Sequence, residues 1–417
     1  MNIVYLNPGG SIGGAEMCLL DVLAARRVAR ADDRLAVLLG DDGPLRDEVE
    51  RLGIPCDVLP LPAGVARLGD SGASGLQKKI GLALRGLAVG SCTLGYRNRL
   101  ARRLRDERPD LVQSNGMKTH VLGAWAAPRD VPVVWHLHDF VGRRPAMARL
   151  LRLSARSSVQ GVAVSEAVAA DVRATLGPRF PVRTIYNAVD LDRFRPETGD
   201  GAELDRASGL PEAPSGTVRV GLMATFATWK GHDVFLDAAS RVPTDRPARF
   251  YIIGGPIYRS TGSQVALDDL KANAGRLGLG DRVGFTGHQA DPVRILRGLD
   301  VVVHASTQPE PFGRVIVEGM ATGRAVVAMT EGGAAELFTD GIDALGCPPR
   351  DAQRLSTVLR RLIDDPELRR TLGRNGRETA TARFDRRRLS SDWSAVYDAD
   401  SSLTRSTSPA VAVARTT

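Results

Sequence analysis

Short apolar runs alternate with longer amphipathic stretches through most of this 417-residue chain. The first apolar run is "NIVYL" at 2–6, and the last of the series is "DALGC" at 343–347. This alternation predicts βαβ units, because two parallel strands need a crossover long enough to hold a helix. We therefore expect an α/β fold with open parallel sheets, in which ligands bind at the carboxyl ends of the strands.

The predicted strands form two groups, which indicates two domains. Residues 197–216 separate the groups, and their Gly, Pro, Ser and charged residues without an apolar period are typical of a linker. A chain of this length can also form two hydrophobic cores. The strands are predicted at 2–6, 34–39, 110–114, 131–137, 161–165 and 182–186 in the first group, and at 218–224, 249–255, 282–287, 300–306, 325–329 and 343–347 in the second.

The composition narrows the class of protein and of partner. With 43% hydrophobic and 25% charged residues, the chain is expected to be globular rather than disordered. The net charge of +8 favours anionic partners, but aromatic residues make up only 5% and do not interleave with a basic run, so nucleic acid is not an expected partner. The four cysteines are widely separated, which predicts free thiols rather than disulfides or a metal site.

The start of the chain and one basic stretch predict where the protein is located, and the end of the chain predicts a disordered tail. The start, "MNIVYLNPGG", lacks the features of a signal peptide, so a cytoplasmic protein is expected. Residues 77–105 combine apolar positions with many lysines and arginines, which fits either a solvated basic helix or a peripheral contact with the inner face of an anionic membrane. Residues 399–417 are rich in Ser, Thr and small residues, which predicts a disordered tail.

Turns that follow predicted strands could bind phosphates or sugars. "NPGGSIGGAE" at 7–16 and "EGGAAELF" at 331–338 contain glycines that let the backbone approach a ligand, and each precedes a helix whose first N–H groups can bind an anion. In "MATFATWKGHDVF" at 223–235, Lys230 adds a positive charge at such a helix start. "WHLHDF" at 135–140 places histidines at a strand end, where they could bind a sugar hydroxyl. Taken alone, each of these stretches is weak evidence for binding, and a structural or solvated role is favoured.

Two glutamates lie eight positions apart in "QPEPFGRVIVEGMATG", residues 308–323. The pattern predicts a helix from about Gly313 to Ala321, with Glu310 in the preceding loop and Glu318 about a turn and a half into the helix. Two carboxylates on either side of an anion-binding helix start suit a ligand with hydroxyl groups at both ends and phosphates between them, such as a nucleotide sugar. Two glutamates at a fixed spacing are common, so the spacing alone favours two surface charges.

Seven stretches, in their order along the chain, resemble glycosyltransferase family 4, the retaining enzymes of the GT-B architecture. The resemblance covers about residues 3–390 and implies two Rossmann-like domains that face a central cleft. It implies an acceptor-binding domain at 1–196, a donor-binding domain at 217–382 and a helix at 383–398 that packs back on the first domain. The stretches are "GGSIGGAE", "VVWHLHD", "VAVSEAV", "YNAVDLDRF", "WKGHDVFLDAA", "EPFGRVIVEGMATGRAVVA" and "EGGAAELF".

The same resemblance implies roles for individual residues. Glu310 would contact the transferred sugar and Glu318 the ribose hydroxyls, while Lys230 would hold the diphosphate. His138 would lie near the reacting sugar, so that Glu310 and His138 are the expected catalytic pair. The other expected donor-binding residues are Gly13, Gly14, Thr225, Phe312, Gly313, Arg314 and Val315, and Asp139, Arg143 and Arg144 are weaker candidates on the acceptor or phosphate side.

One position departs from the family pattern, because Thr225 stands where an arginine is common. A neutral hydroxyl can donate to a phosphate but cannot offset its charge. Lys230, the helix start and cations such as Arg143, Arg144 or Arg314 would therefore offset more of that charge. Because of this departure, a second function remains an alternative: the chain could be a catalytically silent sugar-binding partner subunit.

The implied reaction is the retaining transfer of a sugar from a UDP- or GDP-linked donor to an acceptor hydroxyl, in cell-surface polysaccharide, lipid-linked glycan or other glycoconjugate synthesis. The acceptor could be a small molecule or a lipid-linked one. No Asp-x-Asp pair lies at the end of a predicted strand, so no metal and no permanently bound cofactor are expected. A nucleotide-sugar epimerase of the same architecture is a further alternative.

Overall fold

The computed structural model describes residues 1–66, 79–156, 158–256, 264–289 and 291–405. Within these ranges the strands form a seven-stranded and a six-stranded sheet, each with parallel pairing throughout. The first sheet contains β1 (Asn2–Asn7), β2 (Arg34–Leu39), β3 (Cys56–Val58), β4 (Leu111–Asn115), β5 (Val133–Leu137), β6 (Val159–Ala163) and β7 (Val182–Thr184). The second contains β8 (Val218–Met223), β9 (Ala248–Ile253), β10 (Val283–Gly287), β11 (Val301–Val303), β12 (Ala325–Met329) and β13 (Leu345–Cys347).

Helices connect the strands. Among the described residues, no helix combines the length and the apolar character needed to cross a membrane. The helices of the first domain are α1 (Gly14–Ala29), α2 (Pro44–Arg51), α3 (Ala63–Ala66), α4 (Lys79–Glu107), α5 (Met117–Ala126), α6 (Pro145–Ser154) and α7 (Glu166–Leu176). The later helices are α8 (Gly201–Ala207), α9 (His232–Ser240), α10 (Leu267–Arg276), α11 (Pro292–Gly298), α12 (Arg314–Ala321), α13 (Ala352–Asp364), α14 (Pro366–Arg383) and α15 (Leu389–Arg405).

Strand order in the two sheets fixes where a ligand can bind. The order is β3-β2-β1-β4-β5-β6-β7 in the first sheet and β10-β9-β8-β11-β12-β13 in the second. In each sheet the chain adds strands first on one side and then on the other, so the direction changes between β1 and β4 and between β8 and β11. A crevice opens at the carboxyl ends of the strands at such a switch point.

Each of the twelve predicted strands has a counterpart in the structure, which confirms the α/β architecture. The sequence interpretation missed β3, because this strand has only three residues and no apolar run that stands out. Helix α15 ends at Arg405 and so extends into segment 399–417, for which a disordered tail is predicted. Residues 406–417 of that segment, like residues 77 and 78 of the basic stretch, lie outside the described residues.

The chain passes between the two domains twice, and the two crossing segments contact each other. A parallel bridge joins Val189, which follows the first sheet, to Asp385, which follows α14. The N–H of Val189 donates to the carbonyl of Phe384 at 2.9 Å. Beyond this point α15 packs on the first domain, where Trp393 and Tyr397 are buried.

Segment 197–216, predicted as a linker, contains α8 and is fastened to the second sheet by one buried carboxylate. Asp205 accepts hydrogen bonds from Arg219 at 2.9 Å and from Arg249 at 2.6 Å, and the hydroxyl of Tyr251 also donates to it. Burial alone would raise the pKa of Asp205, but these donors outweigh it and lower the pKa to about 2. The ion pairs therefore explain why a polar segment follows a defined path.

Asp205→Asn is expected to lower the free energy of unfolding by about 3 kcal/mol at neutral pH, because it leaves buried cations without their partner. A lowered carboxyl pKa contributes stability above the unfolded pKa of about 3.9 and loses it as the pH falls, so the difference from wild type should shrink below about pH 4. Urea unfolding followed by circular dichroism measures both effects.

The matched control is Asp200→Asn, which removes a carboxylate from an exposed pair with Arg206. Asparagine still caps a helix, so this variant should lose far less stability than Asp205→Asn. Equal losses in the two variants would contradict the role assigned to Asp205.

Candidate functional site

Loops at the carboxyl ends of the two sheets meet across a cleft. Arg143 follows β5, and its Nη1 donates to Oε1 of Gln308, which follows β11, at 3.4 Å. Deeper in the cleft, Nη1 of Arg314 at the start of α12 donates to Oδ2 of Asp21 in α1 at 2.8 Å. The crevices of the two sheets therefore form one site between the domains.

An ion pair between Lys230 and Glu310 lies on the side of the second domain. Nζ of Lys230 donates to Oε1 and Oε2 of Glu310 at 2.9 and 2.8 Å, although the residues are 80 positions apart in the chain. Their side chains are 20% and 14% exposed. Such partial burial makes the attraction stronger than that of a surface pair.

Two more side chains hold Glu310, and the sequence interpretation selected neither of them. Oγ of Ser306 donates to Oε2 of Glu310 at 2.7 Å. The N–H of Met329 donates to Nδ1 of His304, so the ring proton lies on Nε2, which is 3.4 Å from Oε2 of Glu310. Burial alone would raise the pKa of Glu310, but Lys230 and His304 keep that pKa well below its usual range. Glu310 is therefore an ionised hydrogen-bond acceptor.

The turn that carries Lys230 depends on a glycine. Gly231 has φ 74°, and a Cβ at this position would lie 1.9 Å from the carbonyl oxygen of Ala305. The turn before α9 can therefore lie directly against the end of β11, which brings Lys230 to Glu310. Earlier in the same turn, the hydroxyl of Thr225 donates to the carbonyl of Gly255 at 3.2 Å.

Helix α12 begins at the cleft and carries the second glutamate. Gly313, its N-cap, has φ 95°, a conformation that favours glycine. Glu318 lies one turn beyond Arg314, whose Nε donates to Oε1 of Glu318 at 3.3 Å. Burial raises the pKa of Glu318; Asp21 acts in the same direction, and Arg314 opposes both. Glu310 and Glu318 therefore lie on either side of the start of α12, as predicted.

His138 lies on the opposite side of the cleft in a network of amide side chains. Its Nε2 is 2.5 Å from Oδ1 of Asn115, whose Nδ2 donates to Oδ1 of Asn7 at 2.8 Å. Because Oδ1 of Asn115 is an acceptor, the ring proton is on Nε2, and Nδ1 can accept a hydrogen bond. Burial, with a smaller effect from Arg314, lowers the pKa of His138 to about 3. His138 is therefore neutral at physiological pH.

The glycine turn after β1 forms the start of α1. The N–H of Gly13, the N-cap, donates to Oε2 of Glu16 at 3.0 Å. A Cβ at Gly14 would have no heavy atom within 4 Å, so this position faces open space. The turn can therefore admit a ligand next to the first N–H groups of α1.

The remaining polar candidates of the first domain lie at the rim. Asp139 and Arg144 form an exposed pair at 3.8 Å. The guanidinium of Arg143 lies 4.6 Å from the centre of the Phe140 ring and also reaches Gln308. Among the described residues, no hydrogen bond or ion pair joins Asp139, Arg143 or Arg144 to Lys230.

The arrangement is suited to bind an anionic ligand that also carries hydroxyl groups. Lys230 and the starts of α9 and α12 are positive, while Glu310, Glu318 and neutral His138 can bind hydroxyls. In the part of the chain that the structure describes, no group of three or more His, Cys, Asp or Glu could hold a metal ion.

Both halves of the chain match models of known protein families. Residues 12–193 match Glycosyltransferase Family 4, and residues 211–379 match Glycosyl transferases group 1. The two matches follow each other in the order of the two domains. The chain belongs to the group 1, family 4 glycosyltransferases.

Solved structures and curated relatives support this assignment. HepE of Anabaena in complex with UDP-glucose aligns with this glycosyltransferase at a TM-score of 0.79 and 27% identity, over 96% of this chain and 100% of that chain. N-acetyl-alpha-D-glucosaminyl L-malate synthase of Bacillus anthracis is 23% identical over 313 residues, 73% of this chain and 78% of the relative. The lipopolysaccharide core mannosyltransferase LpsB of Rhizobium meliloti is 30% identical over 240 residues, 53% of this chain and 66% of the relative. The predicted GT-B architecture is confirmed.

Some predicted donor-binding side chains of the glycosyltransferase are engaged within the protein. Phe312 is only 4% exposed and packs against Tyr186 and Phe384, with ring centres 6.5 and 6.1 Å away. Val315 is partly buried and packs against the same hydrophobic core. Arg314 forms an ion pair with Asp21, so its charge is already compensated. Sequence reasoning could not anticipate these partners, because they lie in other parts of the chain.

Glu336 is a contact between the domains that the sequence interpretation missed. Its two carboxylate oxygens accept hydrogen bonds from the N–H groups of Glu166 and Ala167 at 2.9 and 2.7 Å, at the start of α7 in the first domain. The hydroxyl of Tyr186 also donates to it at 2.9 Å. The turn 331–338, predicted to offer N–H groups to a phosphate, therefore also provides an acceptor that caps a helix of the other domain.

Glu336→Gln is expected to increase amide hydrogen exchange at the start of α7 by at least about tenfold. The amide group replaces a carboxylate that accepts two N–H groups at a helix N-terminus, where a negative charge is favoured. Hydrogen exchange of peptides that contain Glu166 and Ala167 measures the effect. Glu331→Gln, an exposed change in the same loop, should leave this exchange unchanged. Unchanged exchange in Glu336→Gln would contradict the capping role.

Proposed function

We propose that this glycosyltransferase moves a sugar from a nucleoside diphosphate to an acceptor hydroxyl with retention at the anomeric carbon. The pairing of Lys230 with Glu310 beside the start of α9 is the observation that carries the proposal. In the complex, Lys230 and the N–H groups of the helix start would stabilise the negative charge that develops on the departing diphosphate. The bond to the sugar would then break before the acceptor attacks from the same face.

Glu310 has the properties of a group that orients the sugar. Its carboxylate accepts hydrogen bonds from Lys230, Ser306 and His304, and its pKa is low, so it is a weak base and a weak nucleophile. Such a carboxylate can still accept a hydrogen bond from a sugar hydroxyl. Neutral His138, with Nδ1 as an acceptor, would bind the reacting sugar from the opposite side of the cleft.

We further propose that the donor is linked to UDP or GDP and spans the start of α12. The complexes of HepE with UDP and UDP-glucose support a uridine nucleotide. Glu318 would bind the ribose hydroxyls, and Gly13 and Gly14 would lie next to the phosphates, where Gly14 faces open space. Thr225 donates to a main-chain carbonyl and carries no charge, so Lys230 would be the main cation for the diphosphate.

Lys230→Ala and Glu310→Gln are each expected to lower turnover by at least about tenfold, which corresponds to about 1.4 kcal/mol of transition-state stabilisation. Lys230→Ala removes the charge that stabilises the diphosphate. Glu310→Gln removes the negative charge that pairs with Lys230 and replaces one of the two acceptor oxygens by a donor amide group. Release of UDP or GDP from a panel of UDP- and GDP-sugars measures turnover. Lys271→Ala and Glu378→Gln, the same changes at exposed positions, serve as controls and should retain activity.

Full activity in both cleft variants would contradict the site assignment. Proton NMR of the sugar product tests retention, because an inverted anomeric centre would exclude the proposed course. Conversion of the donor into its epimer without an acceptor would favour an epimerase, and donor binding without nucleotide release would favour a sugar-binding subunit.

We also propose that the acceptor is lipid-linked and is reached from an anionic membrane surface. Helix α5 contacts both α4 and α6, so these three helices lie side by side on the first domain. The large apolar side chains Leu94, Trp125 and Leu153, one on each helix, are 54%, 42% and 80% exposed. Exposed apolar residues beside a basic surface are typical of peripheral membrane contact.

The positive charge of this surface comes mainly from α4. Arg99, Arg102 and Arg105 are exposed and lie at three-residue intervals, so they follow each other along one side of the helix. Helices α5 and α6 begin just after β4 and β5, whose ends form the cleft. A membrane on this surface would therefore present a lipid-linked acceptor close to the donor site.

Vesicles that contain an anionic phospholipid are expected to sediment with the protein at low salt and to release it as salt rises, because salt screens contacts between exposed charges. Replacement of Arg99, Arg102 and Arg105 by glutamate should abolish this sedimentation. Replacement of the exposed Arg354, Arg361 and Arg374 of the second domain by glutamate is the matched control. Equal loss in both triple variants, or equal binding to neutral vesicles, would contradict the proposed surface.

A further inference from the structure

Arg314 joins two carboxylates that belong to different domains. Its Nη1 is 2.8 Å from Oδ2 of Asp21 and 3.2 Å from the carbonyl oxygen of Ala188, both in the first domain. Its Nε is 3.3 Å from Oε1 of Glu318 in its own helix. The side chains of Arg314, Asp21 and Glu318 are 12%, 6% and 13% exposed, so water competes little for these contacts.

Asp21 is not among the residues proposed to contact the donor or the acceptor. It lies in α1, and its other cation, Arg386, is 3.8 Å away and forms a shorter pair with Asp190 at 2.8 Å. The contact with Arg314 is therefore the main ion pair of Asp21. A buried carboxylate is retained only where it has such a partner.

The geometry of Arg314 divides its donors between the two carboxylates. A guanidinium can bind one carboxylate through two parallel N–H groups, and residues four apart on a helix, such as Arg314 and Glu318, are close enough to do so. Here Nη1 is directed to Asp21, and the contact with Glu318 is a single hydrogen bond from Nε to Oε1. Oε2 of Glu318 is thereby left for another donor.

We propose that Asp21 is a positioning residue for donor binding: it holds Arg314 away from a two-point pair with Glu318, so that Glu318 can accept from the ribose hydroxyls. The inference rests on the proposed role of Glu318. Because Asp21 is in the first domain and Glu318 in the second, the ribose contact is complete only when the two domains adopt this arrangement. Discrimination in favour of ribose is thus a property of both domains.

The binding of UDP and of 2′,3′-dideoxy-UDP, measured by calorimetry on the full-length protein, tests this inference. Wild type should bind UDP at least about tenfold more tightly than the dideoxy nucleotide, since hydrogen bonds from hydroxyls to a carboxylate are strong. Asp21→Asn should reduce this ratio to below about threefold, by weakening UDP binding while leaving the dideoxy nucleotide unaffected. GDP and 2′,3′-dideoxy-GDP form the equivalent pair if the protein prefers guanosine nucleotides.

Two further variants separate positioning from folding. Asp21→Glu retains the charge and should recover most of the ratio, whereas Arg314→Lys cannot bind both carboxylates as a fork and should lower it. If circular dichroism shows that Asp21→Asn does not fold, the ratio of UDP to dideoxy-UDP affinity in Arg314→Lys tests the inference instead. A purely structural role of Asp21 would weaken both nucleotides equally, and that result would overturn the inference.

Glu318→Gln distinguishes failure of the inference from failure of the proposed function. If Glu318→Gln removes the preference for ribose but Asp21→Asn and Arg314→Lys retain it, the positioning role is wrong and the role of Glu318 stands. If Glu318→Gln retains the preference for ribose, Glu318 does not bind the ribose. The ribose-binding role of Glu318 and the positioning role of Asp21 are then both wrong. If wild type binds neither UDP nor GDP, the proposed donor class is also wrong.

Discussion

Parallel strand pairing is the constraint on which the cleft depends. In a parallel sheet every strand ends at the same edge, so the loops that follow the strands are brought together whatever their distance in the sequence. Lys230 and Glu310 are 80 positions apart and form an ion pair because β8 and β11 are neighbours. His138 reaches Asn115 for the same reason, since β4 and β5 are paired. The site is thus a consequence of strand order, and the side chains supply its chemistry.

The sequence was sufficient to predict features that depend on local patterns. Alternating apolar runs predict the strands, and glycines with a following helix predict the turns around Lys230 and Glu310. The partners of these residues were missed, because they depend on tertiary contacts. Ser306 and His304 lie at the end of an apolar run and carry no pattern of their own, and Glu336 acquires its role only when the other domain packs against it.

Charge in the cleft is balanced mostly within the protein. Two cations of the cleft, Lys230 and Arg314, each have a carboxylate partner, Glu310 for Lys230 and Asp21 for Arg314. In the proposed complex, a bound diphosphate would therefore compete with Glu310 for Lys230, and the absence of an arginine at Thr225 would make that competition more important. The low pKa of Glu310 has a related consequence, because a carboxylate that stays ionised keeps Lys230 in position before the donor arrives.

Contacts between the domains differ in burial, and this difference predicts which contacts an opening of the cleft would break first. Arg143 and Gln308 make a single exposed hydrogen bond at the rim, which costs little to break. The buried contacts of Arg314 and the aromatic cluster around Phe384 lie instead where the chain crosses between the domains. The movement with the lowest free-energy cost is therefore an opening that separates Arg143 from Gln308 and retains the contacts where the chain crosses between the domains. Because Arg314 is on the retained side, Glu318 would keep its position while the rim of the cleft at Arg143 moves away.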